Sequence, residues 1–230
     1  MEFERLEQLV GDNYKKIKEL KVLVLGVGGV GGYVVESLVR CGISKIIIVD
    51  FDKVDITNIN RQIIALNSTV GKYKVDVFEN RIKDINPNCE IVKIKEKITL
   101  ENIDLIFNEE VDYIVDACDT ISVKKEIIKL CLNKKQKFIS SMGTAQKLDP
   151  TKLMITDLNK TSYDPIAKIL RKYVKEEKLK GKIPVVSSLE QPISSNKKTL
   201  GSTSFVPSVA GLLITSYIIR EVIENGKNSK

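Results

Sequence analysis

The feature that most constrains this chain is a glycine-rich turn between a short apolar strand and a helical segment. Residues 21–25 read KVLVL, residues 26–32 read GVGGVGG, and an amphipathic stretch follows at once over residues 30–40. Glycines in this context allow a tight turn, bring backbone N–H groups close to a phosphate, and let the helix pack closely on the strand. The predicted phosphate-binding turn contains Gly26, Gly28, Gly29 and Gly31.

Apolar runs that read as strands alternate along the chain with segments of helical periodicity, which is typical of a parallel sheet. We predict a single α/β domain over residues 1–230, a Rossmann-like doubly wound, mostly parallel sheet with antiparallel additions at its C-terminal end. Strands are predicted at residues 21–25, 45–50, 90–94, 111–116, 137–141, 153–158 and 184–187. Helices are predicted at residues 1–20, 30–40, 70–85, 122–132, 165–182 (a basic helix and its exit) and 207–224. Residues 188–203 are predicted to form a mobile loop, and residues 225–230 a flexible tail.

The composition limits the chemistry that this chain can perform. It contains no histidine, which excludes a Ser-His-Asp or Cys-His catalytic centre and a histidine-ligated zinc. Its four cysteines form no CxxC pair, so we interpret them as free thiols of a reducing, cytoplasmic compartment. The acidic N-terminus does not resemble a signal peptide. The longest apolar stretch, residues 205–219, is too short for a membrane span, so we expect a buried or interface helix there.

The net charge is distributed unevenly along the chain. Residues 1–120 carry a net charge of −5, whereas residues 121–230 carry +12. Such asymmetry indicates a surface for nucleic acid or another polyanion. Because 31 of the 37 basic residues are lysines, a lysine-rich solvated surface explains the charge equally well.

Polar residues follow the other predicted strands at the same edge of the sheet. Asp50 closes the second strand 24 residues after Gly26, where a ribose-binding carboxylate is expected, and these two features alone favour an NAD-dependent dehydrogenase. Arg61 lies near the same edge, and a guanidinium with five donors suits a triphosphate, whereas a nicotinamide ring needs an apolar slot. Lys74 opens the next helix and brings a second cation there.

For two aspartates, the sequence alone leaves two alternative roles open. Asp52 is either a site residue or a turn residue, and Asp119 either holds magnesium or caps the helix after Thr120. Phosphate-binding glycines, two cations and a metal-competent carboxylate together describe adenylation, the attack of a substrate carboxylate on the α-phosphate of ATP.

These motifs resemble those of the ubiquitin-activating-enzyme-like, or ThiF-like, adenylyltransferases. The matching segments are GVGGVG at 26–31, DFD at 50–52, TNINRQ at 57–62 (with Thr57 in place of the commoner Ser), GKYK at 71–74 and DACD at 116–119. The resemblance implies that Asp50 holds the ribose, that Asn58 and Arg61 hold phosphates, that Lys74 contacts the transferring phosphoryl group, and that Asp119 holds Mg²⁺. The implied ATP-binding set is Gly26, Gly28, Gly29, Gly31, Asp50, Asp52, Asn58, Arg61, Gln62 and Lys74. The implied catalytic residues are Arg61, Lys74 and Asp119.

The C-terminal half resembles one branch of this family, the tRNA threonylcarbamoyladenosine dehydratases, over residues 141–151, 157–161, 164–165, 171–172, 185–187, 200–202 and 205–207. This resemblance implies a ligase-type, adenylate-forming enzyme that uses ATP and Mg²⁺ to activate the carboxylate of N6-threonylcarbamoyladenosine beside the anticodon. The modified side chain then closes on itself to its cyclic form and expels AMP. No cysteine thioester and no histidine are needed for that reaction.

The resemblance also suggests partners. We expect tRNA, not DNA, as the nucleic acid, bound through Lys168, Arg171, Lys172 and Lys175, and a homodimer formed through the last apolar helix. The resemblance leaves open a Na⁺ or K⁺ ion beside the Met142–Gln146 loop and a cysteine-desulfurase or sulfur-acceptor partner. The alternative function is adenylation of the C-terminus of a ubiquitin-like sulfur carrier. The basic second half favours tRNA, and the four zinc cysteines of many carrier activators are absent.

Overall fold

A seven-stranded sheet organises the protein in the computed structural model, which describes residues 2–193 and 200–227. Its strands are β1 (Lys21–Leu25), β2 (Lys45–Val49), β3 (Glu90–Ile94), β4 (Tyr113–Asp116), β5 (Phe138–Ser141), β6 (Leu153–Asp157) and β7 (Pro184–Ser188). The spatial order is β3-β2-β1-β4-β5-β7-β6, and every neighbouring pair is parallel except β6 and β7. The predicted doubly wound sheet with an antiparallel C-terminal addition is therefore confirmed.

Helices cover both faces of the sheet and create two apolar cores. They are α1 (Glu4–Val10), α2 (Tyr14–Lys18), α3 (Gly31–Arg40), α4 (Lys74–Ile85), α5 (Ile121–Lys134), α6 (Pro165–Glu176) and α7 (Phe205–Lys227). Successive side chains of β1 point to opposite faces, so Val22 and Val24 pack with α3, α4 and α7, while Leu23 and Leu25 pack with α5 and α6. Because all four are buried, β1 reads in the sequence as an unbroken apolar run.

Glycines in the left-handed region explain two differences from the predicted helix boundaries. The single helix predicted at residues 1–20 is wrong, because Gly11 (φ 57°) separates α1 from α2. The helix predicted from residue 70 begins only at Lys74, because Gly71 (φ 83°) lies in the preceding turn. Non-glycine residues rarely adopt this backbone conformation, so a glycine there interrupts a helical pattern that looks continuous in the sequence.

The last helix, α7, is longer than predicted at both ends. It begins at Phe205, two residues before Pro207, and continues through Lys227 into the predicted tail at 225–230. Within the described residues, only its Phe205–Glu224 stretch is long and apolar enough to cross a membrane by length and composition, so the argument from length against a span was wrong. In this fold the helix packs against α3, where Ala210, Ile214 and Ile218 are buried in the core.

The predicted mobile loop at 188–203 is only partly described, since residues 194–199 lie outside the described ranges. Its first residue, Ser188, belongs to β7. The described flanks are attached to the loop after β5: the Ile193 N–H donates to Gln146 O at 2.7 Å, and the Gln146 N–H donates to Gly201 O at 2.9 Å. Both flanks therefore have defined positions beside the cavity described next.

Candidate active site

A cavity of about 820 Å³ opens at the carboxyl ends of the parallel strands. It lies where the strand order reverses between β1 and β4, which is the position at which open α/β sheets bind ligands. Its lining includes all of the predicted ATP-binding residues except Gly31, together with Asp119. The sheet thus brings together residues that are up to 93 positions apart in the sequence, from Gly26 to Asp119.

The glycine turn forms one wall of this cavity. A side chain at Gly26 (φ 82°) would place its Cβ 2.8 Å from Ala117 O, and one at Gly31 would collide with Gly26 O, so both glycines serve the close packing of the turn. At Gly28 the nearest obstacle is the Gln62 amide at 3.6 Å, so here a Cβ would occupy space on the cavity side. The backbone N–H groups of residues 28–30 donate to no acceptor among the described residues. They are available to an anion.

A lysine and two aspartates form a charged cluster after β2. The Asp50 carboxylate accepts hydrogen bonds from Val27 N and Asp52 N, both at 2.9 Å. The buried Lys74 Nζ lies 2.8 Å from Asp52 Oδ2 and 3.9 Å from Asp50 Oδ2. Burial raises the pKa of Asp50, although the Lys74 charge and both backbone donors oppose that rise. Asp52 is therefore more than a turn residue, because it holds the ammonium of Lys74 at the cavity wall.

Asn58 and Gln62 present amide groups to the cavity from the segment after β2. The Asn58 Oδ1 accepts from Asp55 N at 3.1 Å and closes a capping box with the Asp55 side chain. The Asn58 Oδ1 therefore has a structural role. The Gln62 Oε1 is buried without a hydrogen-bond partner among the described residues. Buried polar atoms are rarely left unpaired in proteins, so this oxygen is an exception among the described residues.

Arg61 lines the cavity beside the glycine turn. Its Nη1 donates to Thr57 O at 2.9 Å and to Asn60 Oδ1 at 2.8 Å, which orients the guanidinium. The Nε and Nη2 donors make no hydrogen bond to any described residue, so the Nε–Nη2 edge of the guanidinium is available to a phosphate. Asn60 thus orients Arg61, and it also donates to Ser202 O at 3.1 Å.

Asp119 lies exposed on the wall formed by the end of β4. The N-terminus of α5 at Thr120 has no side-chain cap, so the alternative role of Asp119 as a helix cap is wrong. No group of three or more acidic, cysteine or histidine side chains that could hold a metal occurs within residues 2–193 and 200–227. A metal at Asp119 would therefore depend on the phosphates of a substrate for most of its ligands.

The floor of the cavity is a buried lysine cluster that the sequence analysis missed. Lys124 Nζ lies 3.0 Å from Asp116 Oδ2, 3.2 Å from Ser140 Oγ and 2.9 Å from Ser141 O, and its side chain is 1% exposed. It thereby ties the end of β4 to the end of β5. The sequence signal that could have revealed its burial is helical spacing, since Lys124 lies three and four positions before the buried Ile127 and Ile128.

Cys118 is the cysteine that lines the cavity. Its thiol donates to Asp116 Oδ1 at 3.1 Å. Burial, and then the charge of Asp116, raise the pKa of Cys118 well above its usual range. Since the thiolate is the nucleophilic form, this environment keeps Cys118 unreactive.

The predicted RNA-binding side chains lie on α6, outside the cavity. Lys168, Lys172 and Lys175 are exposed, while the helix start at Pro165 lines the cavity mouth. Arg171 differs, because it is partly buried and donates to Thr161 O at 2.9 Å and to the Thr161 hydroxyl. Arg171 therefore has a structural partner that the charge pattern did not reveal.

The fold and the cavity define a nucleotide-binding α/β protein of the adenylyltransferase type, and comparison with known proteins names the family. The ThiF family model matches residues 4–228, and the chain belongs to that family. It is 41% identical to the tRNA threonylcarbamoyladenosine dehydratase of Bacillus subtilis (strain 168), over 97% of this chain and 95% of that protein. The crystal structure of Escherichia coli tRNA N6-threonylcarbamoyladenosine dehydratase in complex with ATP superimposes with a TM-score of 0.93 at 30% identity, covering 100% of this chain and 96% of that one. The AMP complex of the same enzyme has the same TM-score of 0.93.

Proposed function

We propose that this protein is an ATP-dependent tRNA threonylcarbamoyladenosine dehydratase. It adenylates the carboxylate of N6-threonylcarbamoyladenosine beside the anticodon, and the activated side chain cyclises. The observation that carries the proposal is the set of available anion donors around one cavity, in a chain that aligns along 97% of its length with a dehydratase. The carrier-activating alternative is less well supported, because the whole-length similarity is to dehydratases.

ATP is the nucleotide that this cavity fits. The N–H groups of residues 28–30 and the open edge of Arg61 face the phosphates, and Lys74 approaches the same region from α4. Asp50 accepts from the ribose, since a carboxylate that already accepts two backbone donors retains further lone pairs. Homologous dehydratase structures hold ATP and AMP, which agrees with this assignment.

Magnesium also fits the site. Mg²⁺ is usually bound by one or two carboxylates together with substrate phosphates, and Asp119 supplies one carboxylate on the cavity wall. When bound, the ion would neutralise charge on the phosphates. Asp119 would hold it, and Asp116 positions the turn that carries Asp119 by accepting from Cys118 N at 3.3 Å.

The cations of the cavity have defined roles in the proposed reaction. The substrate carboxylate attacks the α-phosphate of ATP and pyrophosphate leaves, while Lys74 and Arg61 stabilise the negative charge that develops on phosphate oxygens. The activated carbonyl is then attacked by its own side chain, and AMP leaves. An intramolecular trap requires no enzyme nucleophile, which agrees with the absence of histidine from the sequence and the raised pKa of Cys118.

The partners belong to the same proposal. Exposed lysines of α6 contact tRNA phosphates beside the cavity mouth, because the helix begins at Pro165 on that mouth. A homodimer forms through α7, which leaves Phe205 and Leu212 exposed by 43% and 47%. The cytoplasmic location stays a prediction from the free cysteines, and a sulfur-transfer partner stays a prediction from the family resemblance.

Incubation of the protein with ATP, Mg²⁺ and tRNA that carries the linear nucleoside tests the proposal. We expect one AMP and one pyrophosphate for each cyclic nucleoside formed, with no AMP release when the tRNA lacks the modification. Release of AMP that depends on a sulfur-carrier protein and not on tRNA would favour the alternative function.

A further inference from the structure

A third cluster with a buried lysine lines the same cavity, on the loop after β5. Lys147 belongs to the loop that follows β5, and its side chain is 1% exposed. Its Nζ reaches back along the loop and donates to Gly143 O at 2.7 Å. The same atom lies 3.6 Å from Asp164 Oδ2. All three residues line the cavity, yet the proposed adenylation uses none of them.

The carboxylate of this cluster joins the loop to α6. Asp164 is completely buried; its Oδ2 accepts from Gly143 N and its Oδ1 accepts from Ala167 N, both at 2.9 Å. The first bond holds the loop, and the second caps the N-terminus of α6. A buried carboxylate requires a compensating charge nearby, and Lys147 is the cation that meets it.

The Lys147 ammonium lies against a backbone carbonyl oxygen and a carboxylate oxygen, the kind of oxygen ligands that a bound cation requires. The family resemblance leaves open a Na⁺ or K⁺ ion beside residues 142–146, and hard cations take backbone carbonyl and carboxylate oxygens as ligands. Gly143 O and Asp164 Oδ2 are oxygens of this kind, but both already face the Lys147 ammonium. A separate ion does not fit between them.

We propose that Lys147 supplies the positive charge that a bound Na⁺ or K⁺ ion would supply, and that it thereby holds the Met142–Lys147 loop against the start of α6. Lys147 is a positioning residue in this account: it shapes the cavity wall and does not touch the reacting atoms. The effect on turnover rests on the proposed function, whereas the effect of cations on stability does not. At this position the protein therefore needs no monovalent ion.

The test compares wild type, Lys147→Ala and Lys147→Gln in chlorides of Na⁺, K⁺, ammonium and tetramethylammonium at constant ionic strength. The control is Lys152→Ala, which removes a lysine that is 51% exposed from the segment just after the loop. The readouts are the melting temperature without substrates and the rate of tRNA modification. For wild type and for Lys152→Ala, we expect neither the melting temperature nor the rate of tRNA modification to change from one salt to another.

Lys147→Ala should be about tenfold to a hundredfold slower in tetramethylammonium, because a displaced cavity wall costs rates of that order. Ammonium or K⁺, which fit the vacated space, should restore part of the rate and raise the melting temperature in a saturable way. Lys147→Gln keeps most of the side-chain volume and should show the loss without the rescue. This neutral variant also tests the inference if Lys147→Ala does not fold.

Saturable activation or stabilisation of the wild type by Na⁺ or K⁺ would overturn the inference, since it would reveal a separate ion site. Wild-type behaviour of Lys147→Ala in all four salts would overturn it as well. If no protein modifies tRNA but the melting temperatures follow the expected pattern, the inference stands and the proposed function fails.

Discussion

Replacing Lys124 by methionine should destabilise the protein by about 3–5 kcal/mol, because removal of one partner leaves a buried charge uncompensated. The Asp116 side chain is fully buried, and Lys124 Nζ at 3.0 Å is the cation that it contacts. Two further contacts of the ammonium, to Ser140 Oγ and Ser141 O, are lost in the same variant. The hydroxyl of Ser140 still donates to Asp116 at 2.5 Å, which places the expected loss toward the lower end of that range.

Urea denaturation followed by circular dichroism measures this loss. Lys125→Met is the matched control one position along α5; its ammonium lies 5.2 Å from the Tyr173 ring centroid, and its loss should cost about 1 kcal/mol or less. The double variant Lys124→Met/Asp116→Asn removes both charges and should recover a large part of the stability. A loss near 1 kcal/mol for Lys124→Met, or simple additivity in the double variant, would refute the account of the cavity floor as a coupled ion pair.

Three further perturbations test other parts of the structure. Lys74→Ala should lower the rate of AMP release by about two to three orders of magnitude, since Lys74 stabilises charge on phosphate. Lys72→Ala, which replaces an exposed lysine, is the control. A near-normal rate for Lys74→Ala would show that Lys74 has no catalytic role. Burial alone would raise the pKa of Glu36, but hydrogen bonds from Arg81 and Arg40 hold it below 4.5. Its contribution to stability is therefore complete above pH 4.5 and is lost on acidification. Glu36→Gln should be less stable than wild type at neutral pH, and its free energy of unfolding should fall less as the pH is lowered. Parallel curves of unfolding free energy against pH for the two proteins would contradict this. Charge reversal at Lys168 and Lys172 should reduce the log–log salt slope of tRNA binding by roughly one for each lysine, as filter binding would show, whereas an unchanged slope would exclude α6 from the RNA surface.

The sheet and most of the proposed ATP site could be predicted because their determinants are local. The glycine turn, the DFD segment and Lys74 each follow or precede a recognisable strand or helix, and the carboxyl ends of parallel strands meet at one edge. Placement of Asp50 near Lys74 thus follows from topology once the strands are identified. An antiparallel addition at the C-terminal end of the sheet was also predicted, whereas the pairing of β6 with β7 is a finding of the structure.

The buried lysines could not be predicted, because burial of a charge depends on a partner from another element. Lys124 precedes a second lysine, and only its spacing from Ile127 and Ile128 separates it from a solvated residue. Lys147 lies in a loop, where no periodicity reports burial, and its partner Asp164 is 17 positions away. Arg171 was assigned to the RNA surface for a similar reason, since its contact with Thr161 depends on how α6 packs.

Mass spectrometry of nucleosides tests the central claim most directly. The tRNA that carries N6-threonylcarbamoyladenosine is incubated with the protein, ATP and Mg²⁺, digested, and analysed under conditions that preserve the cyclic nucleoside. We expect a product lighter than the linear nucleoside by the mass of one water, formed only with ATP and strongly reduced in the Lys74→Ala variant. A linear nucleoside that remains unchanged while the protein consumes ATP with another carboxylate substrate would contradict the assignment.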